Sequence, residues 1–234
     1  FAFLYSTAQK EKNIWYFGDG AGLDFSSGAP VVLSNSAMLT YDNSASICDS
    51  ETGNLLFYSN GVNIWNRNHQ VMTNGSGLLG NNSAGNSAFA VKQPGNSNLY
   101  YLFTNDAFAG INGLRYSVID MSLNNGLGAV TSSKNISLLN PSTEKITAIK
   151  HANNQDIWII THAWNSNSFN AYLLSSTGLK TSPVTTSIGS VHTGGTSGTY
   201  NALGQITANK KGDRIAVAIY ELNTFELFNF NRAT

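Results

Sequence analysis

The chain has 234 residues, with 13 Lys and Arg against 13 Asp and Glu and a formal net charge of zero at pH 7. That balance, with no basic cluster beyond Lys210 and Lys211, leaves no electrostatic footprint for nucleic acid or an anionic membrane. Hydrophobic residues at 41%, among them 12 Phe, 10 Tyr and 4 Trp, suffice for a real core and exclude disorder. Only 11% of residues are charged, against about 25% in a typical domain, so polarity is carried by uncharged Asn and Ser. This composition fits an extracellular, turn-rich β protein. Cys48 is the single cysteine, which rules out an intrachain disulfide and is expected as a small buried apolar residue.

Residues 1–8, Phe1-Ala2-Phe3-Leu4-Tyr5-Ser6-Thr7-Ala8, are apolar and uncharged. Ser6 and Ala8 put small side chains at the minus-three and minus-one positions of a secretory cleavage site before Gln9. These residues are expected to be the tail of a signal peptide, with a first β-strand as the alternative, leaving 9–234 as one domain. No other apolar stretch approaches the roughly 18 residues of a bilayer span, so no membrane insertion is expected. Asn13-Ile14-Trp15-Tyr16-Phe17-Gly18, continuing to Leu23-Asp24-Phe25, has strand character but no preceding partner.

Four repeats of strand, Gly/Asn turn, aromatic-rich strand, loop and third strand follow. The first uses 45–49, 55–59 and 62–66, turning at Glu51-Thr52-Gly53-Asn54. The second uses 88–92, 99–103 and 114–120, turning at Pro94-Gly95-Asn96. The third uses 146–150, 157–161 and 169–174, turning at Asn153-Asn154-Gln155-Asp156. The fourth uses 203–207, 215–219 and 225–230, turning at Lys210-Lys211-Gly212-Asp213. Asn231-Arg232-Ala233-Thr234 reads as the start of another turn, so the domain is expected to be truncated there.

The middle strands are near-continuous apolar runs, as burial on both faces requires, while the outer ones alternate with period two. Three- or four-stranded meanders recurring every 40 to 60 residues or so predict an all-β fold, the blades of a β-propeller. A β-sandwich competes, but it gives no reason to repeat one motif four times. Helix content should be small, because no segment keeps a 3.6-residue apolar period beyond two turns. The opening strand at 13–25 is expected to complete the last blade, with its blade-mates beyond Thr234, so the propeller is expected to be incomplete.

A family resemblance rests on NIWYFGDGAGLDF (13–25), GNLLFYSNGVNIWNRNHQVM (53–72), GLRYSVIDMSLNNGLGAV (113–130), EKITAIKHANNQDIWIITHAWNSNSFNAYLLSSTG (144–178) and GDRIAVAIYELNTFELFNF (212–230). In these strings the chain resembles the N-terminal propeller region of large secreted Bacteroidetes surface proteins. Those proteins carry this region ahead of polycystic-kidney-disease-type or related β-sandwich repeats and a C-terminal gliding-motility-associated or type IX secretion sorting domain. The present sequence contains neither the repeats nor the sorting domain. The resemblance implies secretion and a surface or adhesive role, and it assigns no catalytic residue.

Asp49, Glu51, Asp156 and Asp213 fall in or beside tight turns, where short polar side chains bond the local backbone. Asp24, Asp106, Asp120, Glu144 and Glu221 remain as an acid/base pool. Glycoside hydrolysis needs two carboxylates about 5 to 10 Å apart, a distance no sequence supplies. Asp49-Ser50-Glu51-Thr52-Gly53 resembles the turn of sialidase Asp-boxes but lacks the following Trp. His151 and His162 are expected near one another, at the end of the first strand and just after the second strand of one hairpin. With His192 they suggest a three-His zinc site. No short ligand spacing supports that site, so hydrogen-bonded structural histidines, with no metal and no cofactor, are the better reading.

For binding, an exposed aromatic face stacks on sugar rings while Asn and Ser bond the hydroxyls. Trp164, in the expected loop with Asn165 and Asn167, ranks first. Trp15, His151 and His162 complete the candidate set, and Trp65 and Trp158 are assigned to packing within blades. The sequence thus argues for a non-enzymatic recognition or adhesion module, secreted or at the cell surface, that binds a glycan or protein ligand through propeller-face loops. One alternative is a carbohydrate-active hydrolase, marked by two facing carboxylates. Another is a structural spacer, marked by a featureless face.

Overall fold

In each repeat the Gly- or Asn-containing turn brings two apolar runs together, and the computed structural model, which describes residues 10–234, pairs them antiparallel. The signal-peptide expectation for residues 1–8 lies outside the described residues. The fold is all-β and consists of five small antiparallel sheets in chain order, interrupted by three-residue 3-10 turns.

The first sheet holds β1 (Ile14–Phe17), β2 (Ala21–Asp24) and β3 (Val31–Leu33). The second holds β4 (Ala45–Cys48), β5 (Leu55–Ser59) and β6 (Ile64–Asn66). The third holds β7 (Ala88–Lys92), β8 (Leu99–Asn105), β9 (Leu114–Asp120), β10 (Ala129–Val130) and β11 (Ile136–Leu139). The fourth holds β12 (Ser142–Lys150), β13 (Ile157–Ala163), β14 (Ser166–Ser175), β15 (Gly178–Leu179) and β16 (Val184–His192). The fifth holds β17 (Ile206–Ala208), β18 (Arg214–Ile219) and β19 (Thr224–Asn229).

The opening strand departs from expectation. β1 does not complete the last sheet: it pairs with β2, Ile14 opposite Asp24, and β2 pairs with β3. Gly18 and Gly20, both at positive φ, reverse the chain immediately after Phe17 and give β1 a partner of its own. Among the described residues, no strand of the fifth sheet pairs with a strand of the first.

Four cores separate the five sheets. Tyr16, Cys48, Tyr58 and Trp65 fill the space between the first and second sheets. Phe57, Ile64, Tyr100 and Leu102 fill that between the second and third. Tyr101, Phe103, Ile159 and Tyr172 occupy the next, and Trp158, Ile160, Ile215 and Val217 the last. Side chains alternate across a strand, so neighbours on β8 serve opposite cores, Tyr100 and Leu102 on one face and Tyr101 and Phe103 on the other. That is why the middle strands of the interior sheets read as unbroken apolar runs. β18 lies in a terminal sheet and alternates instead, burying Ile215, Val217 and Ile219 while Ala216 and Ala218 face outward.

A buried polar hub crosses these layers. The Glu144 carboxylate, fully buried, accepts from Gly85 N at 2.5 Å and Phe108 N at 2.7 Å. Lys145 Nζ donates to the carbonyls of Asn201, Ala202 and Leu203 at 3.2, 2.9 and 2.6 Å. Asn86 Nδ2 donates to the carbonyl of Glu144 and to Gln205 Oε1, both at 3.0 Å. Adjacent residues of β12 thereby clip loops on both sides of the fourth sheet.

Candidate functional site

First strands of neighbouring sheets lie against one another at three of the four junctions: β1 against β4, β4 against β7 and β12 against β17. A groove of about 560 Å³ runs along β1, β4 and β7, within the size range of small-ligand sites, about 300 to 1,000 Å³. Its aromatic surface comes from Trp15, Phe17 and Phe89, and its polar surface from Asn43, Ser44, Ser46 and Asn86, with Lys12 and Asp42 as the charged groups.

Trp15 is 48% exposed. Period-two alternation on β1 sends Tyr16 into the core and turns Trp15 and Phe17 outward. The indole is fixed in two ways. Trp15 Nε1 donates to the carbonyl of Lys12 at 2.8 Å, and Phe25 packs against the ring with centroids 4.9 Å apart. The polar donor is therefore spent on backbone, and the ring is held as an apolar platform.

β1 is stapled to β4 by the groove's serines. Ser44 Oγ donates to the Tyr16 carbonyl at 2.7 Å, and Tyr16 N donates to Ser46 Oγ at 2.8 Å. Asp42 accepts from Ser83 Oγ at 3.2 Å, and Asn86 belongs to the hub. Among the described residues, the side-chain amide of Asn43 and Lys12 Nζ have no hydrogen-bond partner.

The other sequence candidates lie elsewhere. Trp164 occupies the tight turn between β13 and β14 but is only 7% exposed, because its side chain folds inward rather than into solvent. Asn165 is exposed, and its Oδ1 accepts from Thr193 Oγ1 at 2.7 Å. Asn167 is half-buried on β14. His151 follows β12, where Nδ1 accepts from Asn153 N at 3.0 Å and the ring lies 5.5 Å from Trp158.

His151 and His162 do not meet. Lys150 pairs with Ile157, so His151 flanks the start of β13 while His162 sits near its far end. The partner of His162 is His192: the fully buried rings stack with centroids 3.6 Å apart. His162 Nδ1 lies 2.8 Å from the carbonyl of Ala163, which can only accept, so Nδ1 carries the proton. Burial pushes the His162 pKa down to about 4, helped by Lys145. Burial, and then the charges of His162 and Lys145, take His192 down to about 2. Both rings are neutral at pH 7. Among the described residues no group of three or more His, Cys, Asp or Glu is arranged to hold a metal ion.

Each of the five acid/base candidates is bonded to backbone amides. Asp24 accepts from Ser26 N, Asp106 from Ala107 N and Asn112 N, and Asp120 from Ser122 N. Glu144 is held in the hub, and Glu221 accepts from Thr196 N. Phe17, Phe89, Asn43 and Asn86 were not singled out from sequence. The available signal is that each lies on, or within two residues of, a first strand, the position the repeats bring together.

No protein-family model matches the chain, and no curated protein matches it. Among solved structures it is similar, at 13% identity and a TM-score of 0.48, to a functionally unknown protein from Desulfotomaculum acetoxidans DSM 771. The match covers 90% of this chain and 58% of that one, so this chain spans little more than half of its length. A likeness at that distance carries no argument about function.

Proposed function

We propose that this chain is a non-enzymatic glycan-recognition module of the cell exterior, built as five successive β-propeller blades that bind their ligand along the first strands. The blade reading is supported by five meanders in chain order, a shared core between each consecutive pair, and first strands in contact at three of the four junctions. Export and surface display accord with the sparse charge and with the strings at 13–25 and 212–230 that resemble secreted surface proteins.

The single observation that carries the ligand class is the fixed, half-exposed ring of Trp15 above a groove of amides and hydroxyls. A sugar ring offers an apolar C–H face to such a platform and hydroxyls to Asn43 and Lys12. Glycan is favoured over protein because so few charges line the groove. It is favoured over hydrolysis because the candidate carboxylates are committed to backbone amides.

Calorimetric titration with neutral hexasaccharides of glucose, xylose and N-acetylglucosamine tests this reading. Saturable binding to at least one, weakened tenfold or more by Trp15→Ala at unchanged melting temperature, is the expected result. Binding indifferent to Trp15→Ala would remove the groove from the account.

A further inference from the structure

The sequence shows one basic pair, Lys210 and Lys211, and the fold enlarges it. β12 lies against β17, and a groove of about 200 Å³ opens between the end of β12 and the turn that joins β17 to β18. Its charged lining is Lys150, Lys210, Lys211 and Arg232, with Asn209 as the remaining polar side chain. Four of the chain's 13 basic residues thus meet in one groove, and no Asp or Glu lines it.

The cations are set in place by their surroundings. The Arg232 carbonyl accepts from Trp158 Nε1 at 2.9 Å and from Ala152 N at 3.1 Å. The Arg232 side chain passes over Gly212, where a methyl group would lie 3.0 Å from Arg232 Cδ and 2.7 Å from Ile149 Cγ2. Asn209 Oδ1 accepts from Asp213 N and Arg214 N at 3.1 and 3.2 Å, which fastens the turn that carries both lysines. Asp213, the acid of that turn, is engaged by Asn209 Nδ2 at 2.7 Å. Among the described residues, none of the four cationic groups has a hydrogen-bond or ion-pair partner.

Like charges gathered in a cleft repel one another and focus a positive potential that an anion relieves. The groove is smaller than the roughly 300 to 1,000 Å³ of a whole small-ligand site, so it seats a group and not a molecule. With a formal net charge of zero, the chain offers no wider positive field for a long polyanion. We infer that this groove binds one tetrahedral oxyanion, a sulfo or phosphoryl group, presented by an otherwise uncharged ligand. The Arg232 fork suits two of its oxygens, and Lys150, Lys210 and Lys211 act as point charges around it. The inference is independent of the Trp15 groove.

Trp158 is a built-in reporter, because its indole N–H is bonded to the Arg232 carbonyl. Indole and backbone N–H resonances of the whole chain are followed at low ionic strength while glucose sulfate, glucose phosphate, inorganic sulfate, inorganic phosphate or glucose is added. With both esters the Trp158 indole and the amides of Lys210, Lys211 and Gly212 should move saturably, and with glucose they should stay fixed. Added sodium chloride should weaken the binding. Lys150→Gln combined with Lys211→Gln should weaken it tenfold or more at unchanged melting temperature, and Arg232→Gln is the second variant if the first melts early. No movement at millimolar ester would overturn the inference, as would movement indifferent to both variants. Binding of the inorganic ions without either ester would also overturn it, marking an adventitious ion only. So would a single-stranded oligonucleotide or a phosphatidylserine vesicle bound a hundredfold more tightly than the esters, which would reassign the groove to a polyanion.

Discussion

His162 and His192 stack with ring centroids 3.6 Å apart and planes 17° from parallel, and neither ring is exposed. His162 Nε2 and both nitrogens of His192 have no hydrogen-bond partner. The pair is therefore stable only while uncharged, and it sits between the fourth and fifth sheets, next to Phe169 of the shared core.

This makes stability acid-sensitive in a defined window. Unfolded histidine titrates near pH 6.5, and both folded values are depressed, to about 4 and about 2. Below about pH 6.5 the unfolded chain binds more protons, so stability is full above that pH and declines beneath it. By pH 5 the loss is about 2 kcal/mol per imidazole, a fall in Tm of roughly 4 to 8 °C each. His192→Phe keeps a stacked ring and removes one titration, so its Tm should fall less steeply between pH 8 and 5. Parallel profiles for the two proteins would contradict this assignment.

Lys145 and Glu144 should be costly to replace. Lys145→Met leaves buried carbonyls of Ala202 and Leu203 without a donor, and a loss of about 3 to 5 kcal/mol is expected in urea unfolding. Glu144→Gln keeps one acceptor oxygen for Gly85 N or Phe108 N, and about 1 to 3 kcal/mol is expected.

Gly61 tests the junction between the second and third sheets. Its φ is +83°, and a methyl group there would collide with the backbone carbonyl of Ser87. Gly61→Ala therefore combines a left-handed backbone with a clash, and a loss of about 2 kcal/mol or more is expected from thermal melts.

Cys48 is 1% exposed, and burial pushes its thiol pKa up. The native protein should not react with an aromatic disulfide reagent at pH 8 over an hour, and should react fully once denatured.

The strands that serve two cores were legible in the sequence. The runs at 55–59, 99–103 and 157–161 are apolar on both faces and fall within β5, β8 and β13. The outer strands were harder: β10 and β15 are two residues long, and β11 and β16 lie on sheet edges where half of the residues of β11 and most of those of β16 meet solvent. The first sheet was misplaced because β2 and β3 are short and β3 is largely exposed, leaving the Gly18 and Gly20 turn as their main signature. Trp164 outranked Trp15 because a turn position suggests exposure, whereas the outward direction of Trp15 depends on Tyr16 being claimed by the core. The groove itself joins residues up to 78 positions apart, Lys12 to Ala90, and only the stacking of sheets brings them together.

The central claim, that the Trp15 groove receives the ligand, is tested most directly by the indole N–H resonances. The chain has four tryptophans, and Trp65, Trp158 and Trp164 are buried. During titration with the neutral hexasaccharides, the Trp15 resonance should shift saturably while the other three stay fixed. Movement of the Trp164 resonance in place of Trp15, or no movement of any, would contradict the account.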